Sequence, residues 1–288
     1  MSKATALSRL IAAGPIVVAP GAPDALTARL VERAGFPAVY MTGFGATASR
    51  LGMPDIGLMS QTEMTGHARD MVRATSLPVI ADADTGYGGP SNIERTIEEY
   101  VAAGVAAVHL EDQVAPKRCG QMAGIRLIDA AENARRLRCA LAARGTAERL
   151  LVIARTDALP ATGLDEAVRR AALYRDAGAD LLFVDGVKTR AEVEGIARRV
   201  AGPKVVSLVD GTDAALLTTR ELQDMGFAVV LYAVAALFTA ARAVEAALAA
   251  IKVSGSLAGI AGKTMSYAEF TEVVRLSHHQ GLDDRYGS

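Results

Sequence analysis

A thiol set between two cations and a glycine, Lys117-Arg118-Cys119-Gly120, follows closely on the acidic pair Glu111-Asp112. A second acidic cluster, Asp82-Ala83-Asp84-Thr85-Gly86, precedes both. Each cluster ends an apolar run. Carboxylates that converge repel one another unless a positive charge lies between them. Their hard oxygens, without a His/Cys ligand cluster, favour Mg²⁺ or Mn²⁺ over zinc. Lys117 and Arg118 beside Cys119 predict a thiol with a lowered pKa, suited to donating a proton or attacking a carbon. The loop Val114–Ile128 is long for a connection between a strand and a helix, which predicts a lid.

The elements that must position these groups are eight short apolar runs. They are Pro15–Ala19, Ala38–Met41, Pro78–Ala81, Ala107–Leu110, Leu151–Ala154, Leu181–Val184, Val205–Leu208 and Val229–Tyr232. Each is too short for a buried helix and apolar on both faces, as a covered parallel strand should be. Amphipathic segments lie between them, several followed by Ala-Gly, a helix-ending pair. Eight strands each followed by a helix predict an α/β fold of the (β/α)8 TIM-barrel type. A doubly wound open sheet is the alternative, but Pro20-Gly21-Ala22-Pro23 is not a glycine-rich phosphate turn. The barrel is expected over residues 1–253. Residues 254–288 then form a flexible linker around Val253–Gly259, one helix at Tyr267–His278 and a frayed polar tail at Gly281–Ser288.

In such barrels the chemistry sits at the C-terminal ends of the strands. Asp82 and Asp84, Glu111 and Asp112, Asp157, Asp185 and Asp210 all fall there. Strand alternation predicts same-facing pairs in Asp82 and Asp84, His109 and Glu111, Arg155 and Asp157. No Ser-His-Asp order, Walker loop or zinc spacing competes with this site.

Composition sets outer bounds. In 288 residues the formal net charge is −1, which gives no electrostatic case for nucleic acid or an anionic membrane. Hydrophobic residues make up 51%, enough for a large core. Two cysteines, Cys119 and Cys139, make no disulfide framework, so a reducing cytoplasm is expected. Met1-Ser2-Lys3-Ala4 does not open a signal peptide, and no apolar run reaches the roughly 18 residues of a membrane helix.

The chain resembles the isocitrate lyase/phosphoenolpyruvate mutase superfamily over nearly its whole length, most closely its short 2-methylisocitrate and 2,3-dimethylmalate lyases. The resemblance is carried by Tyr40-Met41-Thr42-Gly43, Leu51-Gly52-Met53-Pro54-Asp55, Asp82–Gly88, Glu111-Asp112-Gln113, Lys117-Arg118-Cys119-Gly120 and Ala154-Arg155-Thr156-Asp157. It implies a barrel whose last helix is exchanged with a partner, in a homotetramer built as a dimer of dimers. It also implies Mg²⁺, with Mn²⁺ as a substitute, bound directly by Asp84 while Asp82, Asp55 and Glu111 act closely or through water. Thr42, Gly43 and Phe44 match the segment whose backbone amides hold the substrate's 2-oxo or 2-hydroxy carboxylate. Arg155 matches the arginine beside the reacting oxygen, and Cys119 the thiol that protonates the enolate. Tyr40 is a further candidate for handling the hydroxyl proton. Lys117, Gly120, Gln121, Asp185 and Ser207 complete the expected substrate contacts.

The implied reaction is a metal-dependent retro-aldol cleavage of a 2-hydroxy di- or tricarboxylate. Oxaloacetate hydrolysis or decarboxylation, phosphonopyruvate or phosphoenolpyruvate chemistry, and an inactive binding barrel are the alternatives. Six positions depart from the lyase pattern. Gln121 stands for the usual histidine, Ile125 for a lysine, Ser207 for an asparagine, and Phe238 and Met265 for two arginines. Phe44 also replaces a common glycine. A third substrate carboxylate in that distal region would lack a cation, at a cost of several kcal/mol. A substituted malate with an apolar group is therefore expected over 2-methylisocitrate.

Overall fold

The computed structural model describes residues 1–287. Eight parallel strands close into a barrel in sequence order. They are β1 (Val17–Ala22), β2 (Val39–Met41), β3 (Val79–Asp82), β4 (Ala107–Glu111), β5 (Leu151–Thr156), β6 (Leu181–Val184), β7 (Lys204–Ser207) and β8 (Val229–Tyr232). The doubly wound alternative is excluded, because β8 pairs with β1 from Val17↔Val229 to Pro20↔Tyr232. Each predicted run carries a strand, displaced by one to three residues at some ends.

Strand alternation divides the core in two. Val17, Ala19, Tyr40, Ile80, Ile153, Phe183, Val205 and Leu231 fill the barrel interior. Val39, Met41, Val79, Ala81, Val108, Val152, Leu182, Val206 and Val230 face the surrounding helices. Leu7, on α1 (Lys3–Ala13), joins the interior cluster. Eight strands leave just enough room for side chains to fill the interior.

The helices outside follow the local rules for starting and stopping. Helix α4 (Gln61–Ala74) begins with a Ser60/Glu63 capping box. Helix α5 (Pro90–Ala103) has proline in its first turn and ends at Gly104, whose φ of 79° suits glycine. Helices α2 (Ala25–Arg33), α3 (Gly43–Leu51), α6 (Ala130–Arg144), α7 (Ala158–Thr162), α8 (Leu164–Asp176), α9 (Arg190–Arg199) and α10 (Thr219–Asp224) complete the set before β8. Among the described residues no helix is long and apolar enough to cross a membrane.

The C-terminal region differs from expectation in three ways. Helix α11 (Ala235–Ser254) runs through the start of the predicted linker, and a 3₁₀ turn at Leu257–Ile260 packs back on it. The expected single helix is two, α12 (Tyr267–Val273) and α13 (Leu276–Tyr286), broken where Arg275 takes φ 59°. The tail expected to fray is helical to Tyr286, while Ser288 lies outside the described residues. Helix α12 packs on α2 of its own chain and buries Val273, whereas α11 buries none of its residues.

Candidate active site

The barrel interior changes character along the strands. Ile80 is followed two residues on by Asp82, Ala107 by His109 and then Glu111, Ile153 by Arg155, Phe183 by Asp185, and Val205 by Ser207. The period of two that fills the core with aliphatic groups thus delivers polar groups at its C-terminal mouth. Register sets them side by side, with Asp82 opposite His109 and Glu111 opposite Arg155.

Arg155 is the centre of one half of the site. It lies 2.8 Å from Asp157, 2.7 Å from Asp185 and 3.3 Å from Glu111. Its guanidinium carbon stands 5.5 Å from the centre of the Phe183 ring. Lys117 is the centre of the other half. Its ammonium is 2.6 Å from Asp55 and 2.9 Å from Asp84, with its side chain buried. Lys117 was expected against substrate beside a low-pKa thiol. The structure instead turns it into the carboxylates, away from the cavity that Cys119 lines.

The thiol expectation is overturned too. Burial, then the nearby Asp185 and Asp55, push Cys119 up to about 11 against the pull of Arg155 and of a backbone hydrogen bond. Arg118 does not help, because it is exposed and donates to the Ala123 carbonyl. At neutral pH the group is therefore a thiol with its proton in place. That is the state a proton donor needs and a nucleophile does not.

The lid is pinned over the mouth. The Cys119 amide donates to the Asp55 carbonyl at 3.1 Å. Gln113 holds Arg118 through both its amide nitrogen and its oxygen, at 2.8 and 2.9 Å. Gly120 passes so close that a Cβ there would stand 2.4 Å from Asp185, 2.8 Å from Asp157 and 2.9 Å from Arg155. Only glycine fits.

Helix α3 begins at the same mouth. Thr42 is its N-cap, and the Gly43 amide donates to Asp82 at 3.2 Å. A helix start presents amides and a positive dipole end to an anion. Tyr40 donates or accepts at 2.9 Å with His109 Nε2, and His109 Nδ1 faces Asp82 at 3.6 Å. Burial pulls His109 down to about 4, so the ring is neutral. A neutral ring accepting from Tyr40 at Nε2 carries its proton at Nδ1, towards Asp82.

Together these groups enclose a cavity of about 100 Å³. Tyr40, Thr42, Phe44, Asp55, Asp82, Cys119, Gly120, Gln121, Arg155, Asp185 and Ser207 line it, with Phe183, Val209, Ala233, Val234 and Phe238. The Phe44 and Phe238 rings meet edge to face with centres 5.9 Å apart. Gln121 keeps a buried amide nitrogen with no hydrogen-bond partner. A larger, more open cleft of about 630 Å³ lies on the far side of Asp84 and Lys117.

Of the residues expected to catalyse, bind substrate or hold the metal, then, all but Lys117, Gly43, Asp84 and Glu111 line the cavity; the strand-end carboxylates Asp112, Asp157 and Asp210 do not. Asp84 and Glu111 stand behind it, joined through Lys117 and Arg155. Asp84 does not continue β3, as alternation required. It sits past the strand end with φ 46°. Asp210 is exposed and outside the cluster. His109, noted only as a partner of Glu111, and Phe183 are the groups with a place in the site that motif reading passed over. Both were accessible through their alternation with Glu111 and Asp185.

The donor set suits a divalent cation. Asp55 and Asp84 pair with Lys117, and Glu111, Asp157 and Asp185 with Arg155, while Asp82 faces the neutral His109; among the described residues no other cation pairs with them. Both Glu111 oxygens are buried without a hydrogen-bond partner. Burial, with Asp82 and Asp55, raises Asp84 to about 6 despite Lys117. Among the described residues no three His, Cys, Asp or Glu side chains stand as a complete ligand group. Mg²⁺ ordinarily uses one or two carboxylates and completes its shell with water and substrate.

The matching family model is that of phosphoenolpyruvate phosphomutase, over residues 7–252. The chain belongs to the phosphoenolpyruvate phosphomutase family. The 2,3-dimethylmalate lyase of Eubacterium barkeri is 38% identical over 288 residues, covering 100% of this chain and 99% of that one. Among solved structures, oxaloacetate acetylhydrolase with 3,3-difluorooxalacetate matches with a TM-score of 0.93 at 33% identity, over 100% and 98% of the two chains. Phosphonopyruvate hydrolase in complex with oxalate and Mg²⁺ matches with a TM-score of 0.91 at 30% identity, over 100% of both.

Proposed function

We propose that this member of the family is a carbon–carbon bond lyase. It would cleave a 2-hydroxy dicarboxylate with an apolar substituent, of the substituted-malate type, to pyruvate or a related 2-oxo acid and a second carboxylate. The carrying observation is the division of one cavity. Tyr40, Arg155 and Cys119 share it with an apolar wall of Phe44, Phe238, Val209 and Val234.

The start of α3 and the Gln121 amide orient the substrate carboxylates. The Tyr40 phenol takes the hydroxyl proton as its own passes to His109 Nε2 and onward to the side of Asp82. The carbon–carbon bond then breaks, and its electrons go to the departing carbon as an enolate. Arg155 lies where negative charge develops on oxygen. Cys119 gives its proton to the enolate carbon, and the pinned lid excludes water. Asp84, Asp82, Asp55 and Glu111 would hold a divalent ion, Mg²⁺ with Mn²⁺ as substitute, which would supply counter-charge to the developing enolate. The phosphonopyruvate hydrolase complex with Mg²⁺ and oxalate supports this choice.

The Phe44–Phe238 wall offers no partner to a third carboxylate, which disfavours 2-methylisocitrate. Oxaloacetate hydrolysis is the second reading, favoured by the likeness to oxaloacetate acetylhydrolase. One assay separates the two. Release of pyruvate or another 2-oxo acid is measured with and without Mg²⁺ for 2-alkylmalates, 2,3-dimethylmalate, 2-methylisocitrate, oxaloacetate and phosphonopyruvate, with oxalate scored in parallel. Metal-dependent pyruvate from a branched malate is expected. Oxalate from oxaloacetate alone selects the hydrolase, and a kcat/KM for 2-methylisocitrate far above those for malates removes the apolar-pocket reading. Absence of turnover with every compound moves the chain toward a binding barrel.

The assembly we propose is a homotetramer, a dimer of dimers that exchange C-terminal helical segments. Val244, Leu248 and Val253 on α11 are 56–90% exposed and support a second copy as their cover. The unpaired Cys119 and Cys139 fit a reducing cytoplasm.

A further inference from the structure

Asp84 is held in an uncommon backbone. Three described non-glycine residues have positive φ, and two of them, Asp84 at 46° and Tyr87 at 59°, lie in one short loop. Gly86 and Gly88 between and after them are also positive, at 79° and 144°. Such conformations cost about 1–3 kcal/mol each for a residue with a side chain, and persist only when surroundings fix them. Several bonds do so here. The Glu111 amide donates to the Asp84 carbonyl at 3.0 Å, and the Gly86 amide to Ala83 at 2.9 Å. Thr96 on α5 donates to the Gly86 carbonyl at 3.4 Å, and two further carbonyls of the loop are met by a single side chain. Arg136, on α6, donates through Nη2 to the Thr85 carbonyl at 2.5 Å and the Gly88 carbonyl at 3.0 Å.

Arg136 bridges the loop's two ends from 51 and 48 residues away. Its side chain is only 17% exposed, and its acidic neighbour Glu132, about half exposed, is 3.9 Å off. The guanidinium thus makes its hydrogen bonds to two neutral carbonyls, with only a long ion pair to Glu132 beside them. A half-buried cation spent on a loop that carries a carboxylate of the site has a use beyond the fold. It fixes where Asp84 points.

We infer that Arg136 is a positioning residue for the Asp84 carboxylate and so sets the affinity of the site for its divalent ion. This rests on the proposed metal site. Partners one step behind a metal's ligands commonly control affinity by about 10–100-fold.

The test is direct binding of Mn²⁺ to the substrate-free protein, followed by electron paramagnetic resonance, beside steady-state kinetics. Arg136→Met should weaken Mn²⁺ binding by about tenfold or more, while kcat at saturating metal stays within about threefold. Arg136→Lys keeps a donor to both carbonyls and should recover most of the affinity. If Arg136→Met does not fold, Arg136→Gln takes its place, with the same loss expected and wild-type affinity overturning the inference. Asp84→Asn serves as reference. Wild-type affinity in Arg136→Met together with a large loss in Asp84→Asn overturns the role of Arg136 alone. Mn²⁺ binding that is absent in the wild type, or survives Asp84→Asn, removes the metal reading and this inference with it. A fall in kcat at saturating metal with unchanged Mn²⁺ affinity would place Arg136 elsewhere in the mechanism and also overturn it.

Discussion

Glu111 and Asp112 are neighbours at the end of one strand and meet opposite environments. Asp112 points outward between the barrel and α8. It accepts from Thr156 at 2.7 Å, Tyr174 at 2.8 Å, the Asp157 amide at 3.0 Å and Arg170 at 3.0 Å. Glu111 points inward, with both oxygens buried and no hydrogen bond, beside Arg155 at 3.3 Å. Both are fully buried carboxylates. One has both oxygens hydrogen-bonded by its own fold and the other has neither. A protein retains an unsatisfied buried charge where something other than stability selects it. The outward network is therefore read as structure and the inward cluster as chemistry.

The largest expected effect lies on the chemical side. Cys119→Ser should lower kcat by about 10³-fold, within the range of a lost general acid. The midpoint of thermal unfolding should stay nearly unchanged, because the thiol makes no bond that the fold needs. Steady-state turnover beside calorimetry checks this. A variant that loses stability and keeps turnover would exchange the roles assigned to the two regions.

Asp112→Ala should do the reverse. Removing it strands Arg170 and Tyr174 and leaves Thr156 short of its acceptor. Breaking a buried pair in this way costs about 3–5 kcal/mol. Arg170 keeps Glu166 at 2.7 Å, which places the loss toward the lower end of that range. Urea unfolding measures it. Where folded protein remains, kcat should fall far less than in Cys119→Ser.

The same contrast explains what could be read before any coordinates. Alternation places Glu111 inward and Asp112 outward, and the apolar runs place both at a strand end. Tyr40, Arg155 and Ser207 come from separate strands and Cys119 and Gln121 from one loop, yet each is nameable from its strand or its motif. Lys117 was not placed correctly, because its direction depends on Asp55, 62 residues away. The Cys119 pKa was misjudged because sequence shows the neighbouring cations and hides the burial that outweighs them. Arg136 carries no motif, and its meaning lies in two carbonyls on a distant loop. At the C-terminus the residues Val253–Gly259 read as linker by composition, while packing of the 3₁₀ turn against α11 orders them.

Glu111→Gln sharpens the comparison within a single residue. The amide keeps the shape and removes a buried negative charge. Burial and the adjacent Asp157 and Asp82 already push the Glu111 carboxyl well up, against Arg155 and Lys117. Arg155 retains Asp157 and Asp185, so it is not stranded. Stability in the metal-free protein should stay level or rise by about 1 kcal/mol, while kcat/KM at limiting Mg²⁺ falls by about tenfold or more. Unfolding in the presence of a chelator, compared with an Mg²⁺ titration of activity, provides both readings. A destabilised Glu111→Gln would mean that this carboxylate belongs with Asp112 after all.

The smallest effect tests whether a satisfied buried group can still be recognised by its pH dependence. His67, on α4, is buried and its Nε2 lies 3.0 Å from the Pro23 carbonyl. Burial lowers its imidazole below the ordinary value, more than the Pro23 bond raises it. The unfolded chain therefore binds the proton more readily than the folded one. Its contribution to stability is complete above the unfolded value of about 6.5 and is lost as pH falls below that toward the folded value. Wild type and His67→Gln are compared by urea midpoint at about pH 7.5 and about pH 5.5. The wild type should lose more of its midpoint than the variant on going to the lower pH, with the difference under about 1 kcal/mol. An equal shift in both proteins would mean that His67 takes up its proton without cost in the folded state. Burial with a single carbonyl partner would then be too weak a criterion for separating the fold's own polar groups from those of the site.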